Sequence, residues 1–258
     1  MLSIVMTYHN RAKQLLNTLW SIEQTAAGYP IEVIIVDDMS VSPIPDVLSK
    51  FSFPIRLIVR TEKKPYDHVS PFNIGFDAAK GDIILINCAE CLHVGNIIED
   101  IYFNFSDDRY MAYSTYSIDW ELFYKIHIGV RRSNVNKIIQ PTHALPKDWK
   151  DGDIGWYSHP EHNNSLMPFC AAISRSSMER LGGYDERFSD AIGWEDHDFV
   201  QRVKNLGLKT SLTGFPYCVH QPHKLSDYSG PINNDLFLRL QEVEPDRIKS
   251  PANKFYIR

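Results

Sequence analysis

The chain has 258 residues, 43% hydrophobic and 23% charged, enough apolar material to bury a sizeable core in one large α/β domain or two small ones. Its 27 basic and 32 acidic residues leave a formal charge of -5 with no run of Lys and Arg, which argues against a nucleic-acid polymer as partner. The opening MLSIVMTYHN lacks a cationic n-region, no window approaches the roughly 18 apolar residues of a membrane span, and four cysteines (88, 91, 170, 218) are too few for a disulfide scaffold; the expectation is a soluble chain in a reducing, cytoplasmic compartment.

Residues 2–7 (LSIVMT), 31–36 (IEVIIV) and 55–59 (IRLIV) are short apolar runs with the pattern of buried parallel strands. Between the first two, Leu15, Leu16, Leu19, Trp20 and Ile22 recur at helical spacing, and Gly28 and Pro30 end that helix, so a βαβ unit results. Residues 71–80 (PFNIGFDAAK) predict a short helix stopped by Gly81, and 82–87 (DIILIN) a fourth strand. From about 107 to 165 the periodicity fades into aromatic-rich sequence with Pro and His, expected to be a long loop that serves as a lid or lacks order. A strand at 168–174, helices at 175–181 and 195–206, a strand at 208–212 and a helix near 231–242 follow.

In open α/β sheets ligands gather at the carboxyl ends of the strands. The polar residues there are Thr7, Tyr8, Asn10 and Arg11 after the first strand, Asp37 and Asp38 after the second, and Asn87 with Glu90 after the fourth. An acid after the second strand can accept from a ribose hydroxyl or a base N–H, although VDD alone is also an ordinary turn or helix cap. Arg11, Lys63 and Lys64 are loop cations that could meet phosphates; the default for such lysines is solvation.

In GWEDHDF (193–199), Phe199, Val203 and Leu206 mark a buried helical face, so the three acids sit at a helix start, where free N–H groups and the dipole favour carboxylates. Asp198 is explained by that position and by pairing with Arg202 four residues on. One cap suffices, which leaves Glu195 and Asp196, beside the Gly193 backbone and the flat ring of Trp194, to hold an acceptor hydroxyl and remove its proton. In HQPH, Pro222 forbids a regular helix, but an extended turn could aim His220 and His223 at one cation with Glu90 as carboxylate partner; two histidines alone more often serve packing. CAEC, Cys88 to Cys91, followed by His93, has spacing for zinc or a dithiol, yet Cys170 and Cys218 supply no second pair of that kind.

Together these segments resemble inverting GT-A glycosyltransferases of the family-two kind, in the branch containing galactosyltransferases and polypeptide N-acetylgalactosaminyltransferases. SIVMTYHNRAKQLLNTLWSI is similar to their opening strand, nucleotide loop and helix, and IEVIIVDDMS to the second strand with its uracil- and ribose-binding acid. FNIGFDAAKGDIILI resembles the Asn-x-Gly segment leading to the metal strand, and WEDHDF after LGGYDERF resembles the acceptor and base motif. The resemblance covers roughly residues 1–100 and 168–223.

It implies a GT-A fold, a Rossmann-like, mostly parallel central sheet flanked by helices. It also implies a single domain over 1–258, with the nucleotide-sugar half in 1–100 and the acceptor half and C-terminal helix in 101–258. The implied reaction moves a hexose of galactose, N-acetylgalactosamine or glucose type from a UDP-sugar to a carbohydrate or glycoconjugate hydroxyl with inversion. Asp196 would be the base, and Gly193, Trp194 and Glu195 would bind the acceptor. The implied donor contacts are Thr7, Tyr8, Asn10, Arg11, Asp37, Asp38, Asn73 and Asn87, and Mn2+ or another divalent cation would be held by Glu90, His220 and His223. The 140–165 segment, with Trp149, Trp156 and Tyr157, would close over the site, unless those rings are local packing. Where the family has Asp-x-Asp, this chain has Cys88-Ala89-Glu90, so Glu90 stands in for the second acid. Loss of the first acid leaves a rival expectation, a nucleotide-sugar binder without turnover, and CAEC leaves another, a zinc or thiol protein.

Overall fold

The computed structural model describes residues 1–41, 44, 46–62, 66–129, 139, 141, 144–145, 153–223 and 230–251; Lys63, Lys64 and Trp149 lie outside them. The elements are β1 (Leu2–Tyr8), α1 (Ala12–Glu23), β2 (Ile31–Asp37), β3 (Ile55–Val59), α2 (Ser70–Ala78), β4 (Ile83–Asn87), β5 (Cys91–Val94) and α3 (Ile97–Asn104). They continue with β6 (Arg109–Ser117), α4 (Trp120–Gly129), β7 (Gly155–Ser158), β8 (Cys170–Ser174), α5 (Arg175–Leu181), α6 (Glu195–Asn205), β9 (Lys209–His220) and α7 (Asn234–Val243). Among the described residues no helix is long and apolar enough to cross a membrane.

One nine-stranded sheet runs β3-β2-β1-β4-β8-β6-β9-β5, with β7 paired to β6. β3, β2, β1 and β4 are mutually parallel, the arrangement that βα crossovers impose. Beyond β4 the pairing is mixed: β8 is antiparallel to β4 and β6, whereas β6 and β9 are parallel. The α/β expectation holds, and the parallel run coincides with the segments that the sequence marks most clearly.

β1 shows why those runs are continuous rather than alternating. Ile4 and Met6 enter a core shared with Leu15, Leu19 and Ile22 of α1, while Val5 enters a second core on the opposite sheet face, with Phe76, Phe199 and Val203. A strand covered on both faces has no side to give to polar residues. Helix α2 comes so close to β1 that a Cβ at Gly75 would clash with Val5 Cγ1, which accounts for glycine inside a helix.

Three sequence expectations are corrected. The stretch 107–165 is not a structureless loop, since its described part contains β6 in the middle of the sheet, α4 and β7. β3 is parallel but not buried: as the edge strand of the sheet it leaves Leu57 and Val59 exposed. The strand expected at 208–212 is longer, running on to His220, and that extension carries the HQPH segment to the site.

Candidate active site

The carboxyl ends of β1, β2, β4 and β9 open onto one cleft of about 300 Å³. Thr7, Tyr8, Arg11 and Asp38 line one wall. Cys88, Glu90, His220 and His223 line another, and Gly193, Glu195 and Asp196, with Tyr184, face into the same space. The turn of Glu90 and the turn before α6 therefore meet across a single cavity. Three residues other than glycine with positive φ, Asn10 (54°), Met39 (57°) and Trp194 (70°), belong to the loops after β1 and β2 and the turn before α6, and backbone held in that region concentrates at functional sites.

Glu90 Oε1 is 3.6 Å from Nε2 of His220 and 3.6 Å from Nε2 of His223. All three residues are buried, with one ligand atom from each within 4.8 Å of the others. The separation is close to the roughly 3–3.5 Å between neighbouring ligands of a first-row divalent ion bound at about 2.1 Å, and carboxylate plus imidazole is a suitable donor set, so the residues fit such an ion. The edges of Tyr157 and Phe169 hold the His220 ring, at centroid distances of 5.1 and 5.9 Å. Burial pushes the Glu90 carboxyl upward, but Arg11, then His220 and His223, outweigh it and hold the group well below its ordinary value.

A polar network fixes this constellation from behind. Gln221 donates Nε2 to the carbonyls of Glu90 (3.0 Å) and Gln14 (3.1 Å), and its Oε1 accepts from Asn17 Nδ2 at 2.7 Å. Its backbone N–H also donates to Glu90 O at 3.0 Å. Thr18 Oγ1 donates to Ala89 O at 2.8 Å, and Gln14 Nε2 to Pro222 O at 2.8 Å. The buried polar stripe of α1 thus clamps the 88–91 turn and the 220–223 segment together.

On the opposite side Glu195 and Asp196 open α6 behind Gly193 and Trp194, both left-handed at φ 75° and 70°. Tyr184 Oη–H donates to Asp196 Oδ1 at 3.2 Å. Although both carboxyls keep part of their surface in the cleft, loss of solvent raises them: Glu195 is pushed up to about 8 by burial and then by the charge of Asp196. Asp196 is pushed up to about 6 by burial, with the Tyr184 hydroxyl opposing. A carboxylate near 6 is well placed to accept a proton at neutral pH. Asp198 has the role expected of it, buried and accepting from Arg202 Nε at 2.8 Å. The Trp194 indole stacks on Phe237 at 4.9 Å and is not part of the cleft lining.

The sequence-expected donor residues divide. Thr7, Tyr8, Arg11 and Asp38 are in the lining; Asn10, Asp37, Asn73 and Asn87 are not. Asp37 Oδ1 accepts from Ser40 N (2.9 Å) and Asn10 Oδ1 from Val41 N (2.9 Å), so both shape the loop after β2. Asn87 Nδ2 donates to the Cys88 and Cys91 carbonyls and shapes the turn that carries Glu90. Asn73 exchanges hydrogen bonds with both the N–H and the C=O of Tyr184, anchoring the tyrosine that meets Asp196. Sequence reasoning missed Arg60 and Asp67: Arg60 bridges Asp38 (2.6 Å) and Asp67 (2.9 Å), and Asp67 also accepts from Ser70 N at the start of α2. Arg60 follows β3, so the strand-end rule that selected Asp38 would have selected it too.

The four cysteines are free thiols. Cys170 and Cys218 join Cys91 in the core, and among the described residues they belong to no group of three ligands close enough to share an ion. His93 Nε2 meets Asn87 Oδ1 at 3.0 Å, and burial lowers the ring to about 4, so the imidazole is neutral and donates there. A second cluster, His159, Glu161 and His162, lies toward the surface. His159 Nδ1 already accepts from Glu161 N at 3.1 Å, which leaves Nε2 protonated and without a lone pair for an ion.

A parallel run with a polar cleft at its strand ends is where open α/β sheets bind their ligands, and likeness to known proteins identifies this sheet as the GT-A fold of the glycosyltransferases. The chain belongs to glycosyl transferase family 2, whose model matches residues 3–182. Residues 159–224 also match the family described as N-terminal domain of galactosyltransferase. S. aureus TarS 1-349 in complex with UDP-GlcNAc is similar with a TM-score of 0.64 at 12% identity, over 94% of this chain and 64% of that one. The same S. aureus fragment in complex with UDP gives 0.60 at 13%, over 85% and 60%. The mannosyltransferase PcManGT from Pyrobaculum calidifontis, in complex with GDP-Man and Mn2+, gives 0.54 at 18%, over 84% and 56%. At these identities the likeness is one of fold, and the chain spans less than two thirds of each of these proteins. No curated protein matches the chain.

Proposed function

We propose that this chain is an inverting glycosyltransferase that moves a hexose from a UDP-sugar to a carbohydrate hydroxyl. The observation that carries the reading is the shared cleft: a cation-competent Glu90, His220 and His223 stand on one wall and the raised carboxyl pair Glu195 and Asp196 on another. Family membership and the donors bound by the similar structures support the substrate class. In this reading residues 1–100 hold the nucleotide, residues 101–258 take the acceptor, and four free thiols suit a reducing, cytoplasmic setting.

Asp38 accepts from the nucleoside, and Arg11 faces the diphosphate. Glu195 and the Gly193 backbone hold the acceptor while Asp196 takes the proton of its hydroxyl. The freed oxygen pair then forms the new bond to the anomeric carbon as the old bond to the diphosphate breaks on the opposite face, and the leaving oxygen keeps that electron pair. A divalent ion such as Mn2+, held by Glu90, His220 and His223, would neutralise charge on the departing diphosphate. Cys88 supplies no charge in place of the missing first acid, so the cation set has Glu90 as its one carboxylate.

The test is UDP release from a panel of UDP-hexoses, with GDP-mannose as comparison, with and without Mn2+ and oligosaccharide acceptors. Acceptor-dependent release is expected, and Asp196→Asn should lower it by about two to four orders of magnitude. Unimpaired transfer by Asp196→Asn removes the base assignment. Donor binding with no release under any condition replaces the transferase by a nucleotide-sugar binder.

A further inference from the structure

The carboxylate of the cation set already has a cation on it. Arg11 Nη1 donates to Glu90 Oε1 at 2.7 Å, and this is the same oxygen that lies 3.6 Å from both imidazoles. Arg11 caps the start of α1, its carbonyl accepting from Leu15 N at 2.9 Å, so its backbone is held by the helix while its long side chain reaches the cleft. Its side chain keeps 24% of its surface exposed, against 8% for Glu90, so the guanidinium has somewhere to go and the carboxylate does not.

Charge makes the arrangement exclusive. Glu90 contributes one negative charge and Arg11 one positive charge, so an incoming divalent ion finds a carboxylate already neutralised. An ion bonded to Oε1 would stand beside a guanidinium on the same oxygen, and two cations that close repel strongly in a buried site. The guanidinium has an alternative partner of high affinity, because its planar fork matches phosphate oxygens.

Resting on the donor reading above, we propose that Arg11 is an exchangeable counter-ion: it neutralises Glu90 while the cleft is empty and moves to the donor diphosphate when a divalent ion takes its place. Ion and nucleotide then bind cooperatively, each raising the affinity of the other by the same factor. Arg11 thereby disfavours ion binding without a donor.

The experiment is an Mn2+ titration followed by the electron paramagnetic resonance of free Mn2+, on the full chain, with and without saturating UDP. Wild type should bind Mn2+ weakly alone and about tenfold or more tighter with UDP, within the usual range of coupling between sites. Arg11→Gln should bind Mn2+ alone about tenfold tighter than wild type, with less than about threefold further gain from UDP. Arg11→Lys keeps the charge at the position and should retain weak binding of Mn2+ alone, which guards against a folding defect being mistaken for the effect. Equal or weaker Mn2+ affinity in a folded Arg11→Gln, or an undiminished UDP effect in it, overturns the proposal. Tighter Mn2+ binding in Arg11→Gln with no UDP binding by any variant overturns the diphosphate half and the donor reading together, while leaving the hold of Arg11 on Glu90 established.

Discussion

Asp196 is pulled in two directions by its surroundings. Burial raises it to about 6, and the hydrogen bond from Tyr184 favours the charged form and limits the rise. Burial, then the charge of Asp196, holds the Tyr184 phenol well above its ordinary value, so Tyr184 stays a donor through the neutral range. A base works as the carboxylate; transfer should therefore rise as pH rises through about 6 and be lost below it. Glu195, pushed up to about 8, carries the later step of a pair whose protons come off in sequence. Tyr184→Phe removes the donor and should move the acidic limb of kcat/KM to higher pH by about one unit, the scale of one charge-assisted hydrogen bond. A pH profile of acceptor-dependent UDP release reads this directly; a limb that stays in place would mean that another group titrates.

Helix α1 does more than cover a sheet face. Its apolar side, Leu15, Leu19 and Ile22, packs into the core, while Gln14, Asn17, Thr18 and Ser21 are buried on another side through bonds to the segments that carry the site. Gln221→Ala would remove one hydrogen bond each from the Asn17 amide, the Gln14 carbonyl and the Glu90 carbonyl in a buried site. Urea unfolding should show a loss of about 1–3 kcal/mol, and Mn2+ affinity should fall with it because Glu90 and the two histidines are no longer held in register. An unchanged stability would mean that water replaces the amide. The apolar stripe of α1 was legible in the sequence because its spacing is helical, and β1, β2 and β4 because their runs are unbroken. β6 was not legible: YMAYSTYS is buried, yet six of its eight residues carry hydroxyls, three of which find partners as Tyr110 donates to Leu166 O, Tyr113 to Asp100 and Thr115 to Tyr113 O. The site followed the same division. Strand-end position pointed to Glu90, Asp38 and Arg11, whereas Tyr184 enters only because Asn73, far away in sequence, holds its backbone in place.

At the scale of the molecule, the start of α6 is tied to the 244–250 segment by buried charge. Asp198 accepts from Arg202 and pairs with Arg247; Arg247 also meets Asp185 at 2.8 Å, and Asp185 pairs with Arg187 at 2.8 Å. Arg202 is 1% exposed, and burial lowers its pKa in spite of Asp198. A buried pair adds little against an apolar alternative, but removing one partner strands the other without water. Asp198→Ala would leave Arg202 with only the Leu181 and Gly183 carbonyls, a buried charge without its carboxylate beneath the helix that presents Glu195 and Asp196, and should cost about 3–5 kcal/mol in chemical denaturation. Asp198→Asn keeps an acceptor for Arg202 and should cost less, which separates lost charge from lost hydrogen bonding. Because Asp185 follows Tyr184 directly and Asp196 stands two residues before Asp198, the network spans both partners of the Tyr184–Asp196 bond. A folded Asp198→Asn should therefore also lose part of its transfer rate, whereas a variant that is less stable but fully active would show that the network serves stability alone.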